Sequence, residues 1–298
     1  MTSAFPDKKL TIGRFAPTPS GPLHFGSLVA AIAGYCQAKS RQGQWLLRIE
    51  DVDTPRVVKG ASDLILQDLE AFAFEWDGEV LWQSSQFEPY QHYLDQLLTQ
   101  GDAYACECSR RMLREQGVDY GPLGQIYPGN CRDKNLPVEQ ASIRLSSAGV
   151  AELSFDDAVY GSCSLNLTQQ VGDFVLKRVD QIYSYHLAVV VDDHLQGIDQ
   201  IVRGADLIDN TPLHLLLQQR LGFIQPDYMH IPLVNNVDGV KLSKQTGAQG
   251  IDRRQAAQQL VAALDFLGQK PPPELKTSRP AEVLRWAIDH WNYRSITV

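Results

Sequence analysis

Apolar residues recur at three- and four-residue steps through Leu28, Ala31, Ile32 and Tyr35, and this spacing predicts an amphipathic helix from Leu28 to Lys39. The chain just before it is built differently. A short apolar stretch, Leu10-Thr11-Ile12, runs into Gly13-Arg14-Phe15-Ala16 and then the rigid turn Pro17-Thr18-Pro19-Ser20-Gly21-Pro22. A strand that ends in such a turn and re-enters as a helix aims backbone N–H groups and the positive end of a helix dipole at one place. That place suits phosphates. His24 adds a side-chain donor, and Gly26 leaves room for a ligand to approach the backbone.

Further along, Trp45-Leu46-Leu47-Arg48-Ile49 predicts a buried strand ending at Glu50-Asp51. Ser62 is placed to cap a helix that carries Ile65, Leu66, Leu69 and Phe72 inward. Strand and helix alternate in this way through the first hundred residues, the pattern of a parallel α/β sheet. Residues 101–185 change character: cysteines, Gly-Pro turns and short alternating runs such as Ala141-Ser142-Ile143-Arg144-Leu145 predict a smaller inserted α+β domain. The run Leu187-Ala188-Val189-Val190-Val191, ending at Asp192-Asp193, predicts a buried strand of the parallel sheet. Thr211 as N-cap, Pro212 at the first helical position and Gly222 at the far end mark a helix over 212–221. Asp252 caps another through Leu267. After the stiff Pro271-Pro272-Pro273 break, a last helix runs from Pro280 to Trp291. The expected organisation is a Rossmann-like domain in two halves, 1–100 and 186–250, split by an insertion over 101–185 and followed by a short helical region over 251–298.

With 298 residues, 44% of them hydrophobic, the chain can bury a full core. No stretch approaches the roughly 18 apolar residues of a membrane span, and the first nine residues lack a signal-peptide core. A cytoplasmic protein without a membrane partner is expected, and a monomer. The net charge of -8 argues against indiscriminate nucleic-acid binding, so a nucleic-acid partner needs a local basic face.

Candidate chemistry lies in three places. Lys241-Leu242-Ser243-Lys244-Gln245 supplies cations that can neutralise charge developing on an ATP α-phosphate, making it the second half of a nucleotide site begun at His24. Cys106, Cys108 and Cys131 offer three thiolates for a tetrahedral structural zinc, with Tyr127, Asp119 or a water open as the fourth ligand. Cys36 and Cys163 have no such partners and read as core residues. Arg14, Glu50, Tyr185 and Arg203 each fall at a predicted strand edge or turn, and would suit an acidic amino acid if they converged. Spacing alone favours unrelated surface charges.

The segments Arg14 to Ser27, Arg48-Ile49-Glu50-Asp51-Val52-Asp53, Tyr185 to Asp193, Val202-Arg203-Gly204-Ala205-Asp206 and Lys241 to Lys244 together resemble the glutamyl-tRNA synthetase group of class I aminoacyl-tRNA synthetases. His24-Phe25-Gly26-Ser27 resembles the first class I signature with Ser27 in place of its final histidine. Lys241 to Gln245 resembles the second, ending in Gln. A full member of the group continues into a large anticodon-binding region, whereas this sequence runs on only to Val298. That outline, with Cys106, Cys108, Tyr127 and Cys131 in the insertion, resembles the branch that glutamylates the base queuosine in the tRNA(Asp) anticodon.

The resemblance implies L-glutamate, ATP with Mg(2+), and queuosine-bearing tRNA(Asp) as partners, and one structural Zn(2+) held by Cys106, Cys108, Tyr127 and Cys131. It assigns glutamate binding to Arg14, Phe15, Ala16, Pro17, Thr18, Glu50, Tyr185 and Arg203. ATP falls to Pro17, His24, Gly26, Ser27, Lys241, Ser243 and Lys244, with His24 and Lys244 catalytic. Arg110, Arg111 and Arg114 are candidate phosphate contacts. The alternatives are a shortened synthetase charging the 3′ end of tRNA(Glu), a small nucleotidyltransferase, or a non-catalytic tRNA-binding module derived from a synthetase.

Overall fold

A computed structural model describes residues 10–150, 152–234 and 250–298. Strand β1 (Ile12–Phe15) runs through the Gly13-Arg14-Phe15 segment that follows the apolar stretch, then the turn leads into α1 (Phe25–Lys39). Strand β2 (Gln44–Ile49) returns parallel to β1, and after α2 (Ala61–Ala71) the two-residue β3 (Leu81–Trp82) adds to its far side. The turn into β2 requires glycine at 43, because a Cβ there would stand 2.1 Å from the Thr11 carbonyl. Helix α1 is buried along most of its length, from Leu28 to Ala38 with only Ala30 partly covered. It is a central helix rather than an amphipathic surface one, since the sheet covers one side and the C-terminal helices cover the other.

The chain then leaves this sheet. Helix α3 (Phe87–Gln100) leads to β4 (Ala103–Cys106), α4 (Arg110–Glu115), the small hairpin β5 (Tyr120–Gly121) and β6 (Gly124–Gln125), and β7 (Ser142–Leu145). A second hairpin, β8 (Leu153–Asp157) and β9 (Gly161–Leu165), is followed by the short α5 (Leu167–Gln170) and β10 (Phe174–Lys177). Strands β10, β7 and β4 form an antiparallel sheet of their own.

Helix α6 (Tyr185–Leu195) replaces the strand expected over Leu187 to Val191. Ser184 caps it, its Oγ accepting the Leu187 N–H at 3.4 Å. Every residue from Leu187 to Asp193 is buried, with α3 on one side and the later α7 on another. A run buried on all sides carries no period, so β-branched content alone misassigns it. The parallel strands come afterwards: β11 (Gln200–Gly204), then α7 (Thr211–Leu221), then β12 (Asp227–Ile231) parallel to β11. Helix α7 has Asn210 at its N-cap and Gly222 closing it at φ 71°, while Thr211 sits inside the first turn. Likewise α2 starts from Gly60 at φ 79°, with Ser62 already helical.

Strand β11 abuts β1, where the Asp199 N–H donates to the Ile12 carbonyl at 3.1 Å and the Ile12 N–H to the Asp199 carboxylate at 2.9 Å. The parallel strands thus lie in the order β3-β2-β1-β11-β12, reversing direction of growth at β1. Ligands in such sheets bind outside the carboxyl ends of the strands at that reversal. Hairpin β8–β9 continues the sheet beyond β12, with Asp157 registered against Tyr228. Helices α8 (Ala256–Phe266) and α9 (Pro280–His290) close the core over α1. Cys36 lies in that core, whereas Cys163, on β9, is half exposed and outside it. Among the described residues no helix is long and apolar enough to cross a membrane.

Candidate active site

His24 is the N-cap of α1. Its Nδ1 accepts the Ser27 N–H at 3.2 Å, which leaves the hydrogen of a neutral imidazole on Nε2, the tautomer that can donate to a phosphate oxygen. Ser27 contributes here through its backbone. Gly26 lies in the first turn of α1, and Pro17 and Thr18, in the turn before it, are half-buried. Just after the segment that holds Lys241, Ser243 and Lys244, the chain returns to this turn: Gly250 bridges His24, and the Ile251 N–H donates to the Leu23 carbonyl at 3.0 Å. Those three residues themselves lie outside the described residues.

The scattered charges converge. Arg14 is the penultimate residue of β1, Glu50 follows β2 with its N–H donating to the Pro17 carbonyl, Tyr185 opens α6, and Arg203 lies on β11. None of them is a surface charge: Arg14, Glu50 and Arg203 are all buried. Arg14 donates through Nε to Asp193 at 2.9 Å and reaches the other carboxylate oxygen from Nη2 at 3.5 Å. Its Nη1 has no partner among the described residues. Phe15 points instead into the core, stacked on Trp45, so only its backbone can face a ligand.

Arg48, fully buried, donates to Asp193 at 2.7 Å and to Gln196 at 2.8 Å, and stands 3.8 Å from both Asp192 and Glu50. Burial pushes the Glu50 carboxyl up to about 7, against the lowering pull of Arg48 and Arg14. Asp193 is buried too, but the two guanidiniums hold it below the usual carboxylate range. A carboxylate in Glu50's position gains most from a cation brought by a ligand.

In the inserted lobe the sulfur atoms of Cys106, Cys108 and Cys131 lie within 4.8 Å of one another, all buried. The Tyr127 hydroxyl is 3.2 Å from the Cys106 sulfur and 3.7 Å from that of Cys108, and it accepts the Cys131 N–H at 3.2 Å. Three thiols and a phenol oxygen around one point match a closed four-ligand site. Asp119 is not part of the group. Arg144 braces it, lying over the Tyr127 ring at 3.9 Å and donating to Cys106 at 3.2 Å.

Residues 11–267 match the family model of the catalytic domain of class I tRNA synthetases (E and Q). A glutamyl-Q tRNA(Asp) synthetase from Pseudomonas aeruginosa is 49% identical over 98% of this chain and 95% of its own length. The chain belongs to the glutamyl-Q tRNA(Asp) synthetase family. A second member of that family, from Dechloromonas aromatica, is 47% identical over 95% of each chain. The fold is also that of a solved glutamate-tRNA synthetase from Elizabethkingia anophelis, with a TM-score of 0.80 at 24% identity, covering 97% of this chain and 67% of that one. As a member of the glutamyl-Q tRNA(Asp) synthetase family it is a class I ligase.

Several residues of the site in this family member escaped the sequence. Arg48 and the pair Asp192-Asp193 lie within the family segments, yet their burial was not legible, because charged residues are ordinarily exposed whichever element carries them. Gln83 and Tyr90 donate to Asp192, each at 2.8 Å, from elements with no motif. His214, His230 and Asp157, around Arg203, came from three separate elements and gave no signal. Arg110, Arg111 and Arg114 are exposed on α4, with Arg111 paired to Glu115 at 2.8 Å.

Proposed function

We propose that this chain activates L-glutamate with ATP, without requiring tRNA, and transfers it to the queuosine base in the anticodon of tRNA(Asp). The observation that carries the reading is the convergence of Arg14, Glu50, Tyr185 and Arg203 beside the His24 turn, in a chain about half identical to synthetases of that name.

In the first step an oxygen of glutamate's α-carboxylate attacks the α-phosphorus of ATP, the bond from that phosphorus to the oxygen bridging to the β-phosphate breaks, and pyrophosphate leaves; Mg(2+) brought with ATP would offset charge on the phosphates. His24, Gly26, Ser27 and the start of α1 face the phosphates, and Lys244, with Lys241 and Ser243, completes their neutralisation. Glu50 takes the ammonium group. Arg14 through Nη1, and the Tyr185 hydroxyl backed by Arg203, take carboxylate oxygens. Ala16, Pro17 and Thr18 shape the wall. In the second step a hydroxyl of the cyclopentene diol attacks the carbonyl of the mixed anhydride, giving an ester and AMP. Residues 1–100 and 186–250, with Tyr185 at the edge of the insertion, supply this chemistry, and the rest of the insertion over 101–185, with the exposed Arg110, Arg111 and Arg114, is left to meet tRNA phosphates.

Glutamate should drive ATP–pyrophosphate exchange with no tRNA present, and labelled glutamate should enter queuosine-bearing tRNA(Asp) but not the unmodified tRNA. Equal transfer to both forms, or label at the 3′ end, would replace this reading with that of a shortened glutamyl-tRNA synthetase. Binding of tRNA without exchange would favour the non-catalytic module.

The cysteine group fits one structural zinc held by Cys106, Cys108, Tyr127 and Cys131, whose part would be to fix the lobe around β4 and β7. Metal analysis of the purified protein should find about one zinc per chain, and Cys108→Ser should lose most of it and melt at a lower temperature. Retention of zinc by that variant would remove the assignment.

A further inference from the structure

The surroundings of Arg203 are unlike those of the other buried arginines. Arg14, Arg48 and Arg144 each touch a carboxylate or a thiol. All five N–H donors of Arg203 go to uncharged groups: Nε to His230 Nε2 at 3.0 Å, Nη1 to the Tyr185 hydroxyl at 3.2 Å and His214 Nδ1 at 3.3 Å, and Nη2 to Thr211 Oγ1 at 2.7 Å and the Leu207 carbonyl at 3.2 Å. Among the described residues it has no ion pair. A buried guanidinium without a counter-charge is costly to maintain, and the cost is recovered when an anionic ligand arrives.

The hydrogens around it have one consistent order. Arginine can only donate, so His214 accepts at Nδ1, carries its hydrogen on Nε2 and donates it to His186 Nδ1 at 3.2 Å. His230 accepts at Nε2 and donates from Nδ1 to Asp157 at 2.7 Å. Burial, with Arg203 adding to it, keeps His214 neutral, and burial does the same for His230 against the pull of Asp157. Asp157 is itself anchored at the tip of the β8–β9 hairpin by the Val159 and Tyr160 N–H groups, so the insertion sets the tautomer of His230.

We propose that His214 and His230 are positioning residues of the amino-acid site: as neutral acceptors they fix the Arg203 guanidinium while leaving its positive charge uncancelled for a substrate carboxylate. This rests on the reading of Arg203 given above. The Tyr185 hydroxyl accepts from Arg203 and has no acceptor of its own among the described residues, so it passes that charge to the ligand as a donor.

The isosteric pair His214→Gln and His214→Glu separates the neutral acceptor from any acceptor. In ATP–pyrophosphate exchange at saturating ATP, H214Q should raise the KM for glutamate less than about tenfold and H214E at least about 100-fold, the size expected when a buried charge is cancelled. KM for ATP and the melting temperature should differ little between the two. Equal glutamate KM values in H214Q and H214E would overturn the proposal while leaving Arg203→Ala to test the underlying reading. An unchanged KM in R203A would overturn both. Should H214E fail to fold, imidazole nitrogen shifts of the unaltered protein decide the matter. They should show His214 neutral with hydrogen on Nε2 and His230 neutral with hydrogen on Nδ1 at neutral pH, and an imidazolium at either position would overturn the proposal.

Discussion

Replacing Asp193 with alanine is expected to destabilise the fold by about 3–5 kcal/mol, lowering the melting temperature by roughly 5–15 °C. Among the described residues, Asp193 is the only side chain that touches both Arg14 and Arg48 through close hydrogen bonds, at 2.9 and 2.7 Å. Its removal leaves two guanidiniums inside the protein with Glu50 and Asp192 as more distant partners, each 3.8 Å from Arg48. The damage is uneven because breaking a buried pair exposes the remaining charge to a low-dielectric interior, whereas losing a surface pair restores hydration. Asp53 provides the contrast. It pairs with Arg178 at 3.2 Å and Arg56 at 3.9 Å near the surface, and Asp53→Ala should change stability by less than about 1 kcal/mol. Thermal and denaturant melting of the two variants side by side checks this, and equal shifts would refute the argument. Arg14 also loses its anchor in the Asp193 variant, so the KM for glutamate should rise along with the loss of stability.

The contrast between these two aspartates explains what the sequence could and could not convey. Elements with local punctuation were legible: α7 between Pro212 and Gly222, the helix after Asp252, and α9 starting at Pro280. Strand β2 was legible too, as a dense apolar run of strand length. The run Leu187 to Val191 had the same composition but lies in a helix, because burial on every side erased the periodicity that distinguishes the two. Site residues followed a similar rule. Arg14, Glu50, Tyr185 and Arg203 stand in segments with a recognisable family order, so they could be grouped. Asp157, His214 and His230 act on Arg203 from a hairpin, a helix and a strand whose contact depends on the folded topology. Arg48 and Arg144 are buried inside strands that read as ordinary apolar or alternating runs, and nothing local marked their charges as internal.

Glu50→Gln should separate stability from function. Burial raises the Glu50 carboxyl from its ordinary value to about 7, so between roughly pH 4.5 and 7 the folded protein holds a proton that the unfolded chain has released. The stabilising effect of that proton is present at low pH and is lost as pH rises through the folded value. Glutamine imitates the protonated carboxyl and does not titrate. The variant should therefore melt close to the parent near pH 5 and above it near pH 8, with a gap of up to roughly 3 kcal/mol at the upper end. Arg48 keeps Asp193 and Asp192, so the substitution strands no cation. Binding should move the opposite way: without an anion for the substrate's ammonium, the KM for glutamate should rise by about 100-fold or more, equivalent to roughly 3 kcal/mol. In the parent protein, glutamate affinity should improve as pH rises through about 7, where Glu50 ionises, and this dependence should vanish in the variant. Melting at the two pH values together with glutamate titrations in the exchange assay provides the test. A pH-independent difference in melting temperature would show that Glu50 is ionised throughout, and an unchanged KM would remove it from the ammonium site.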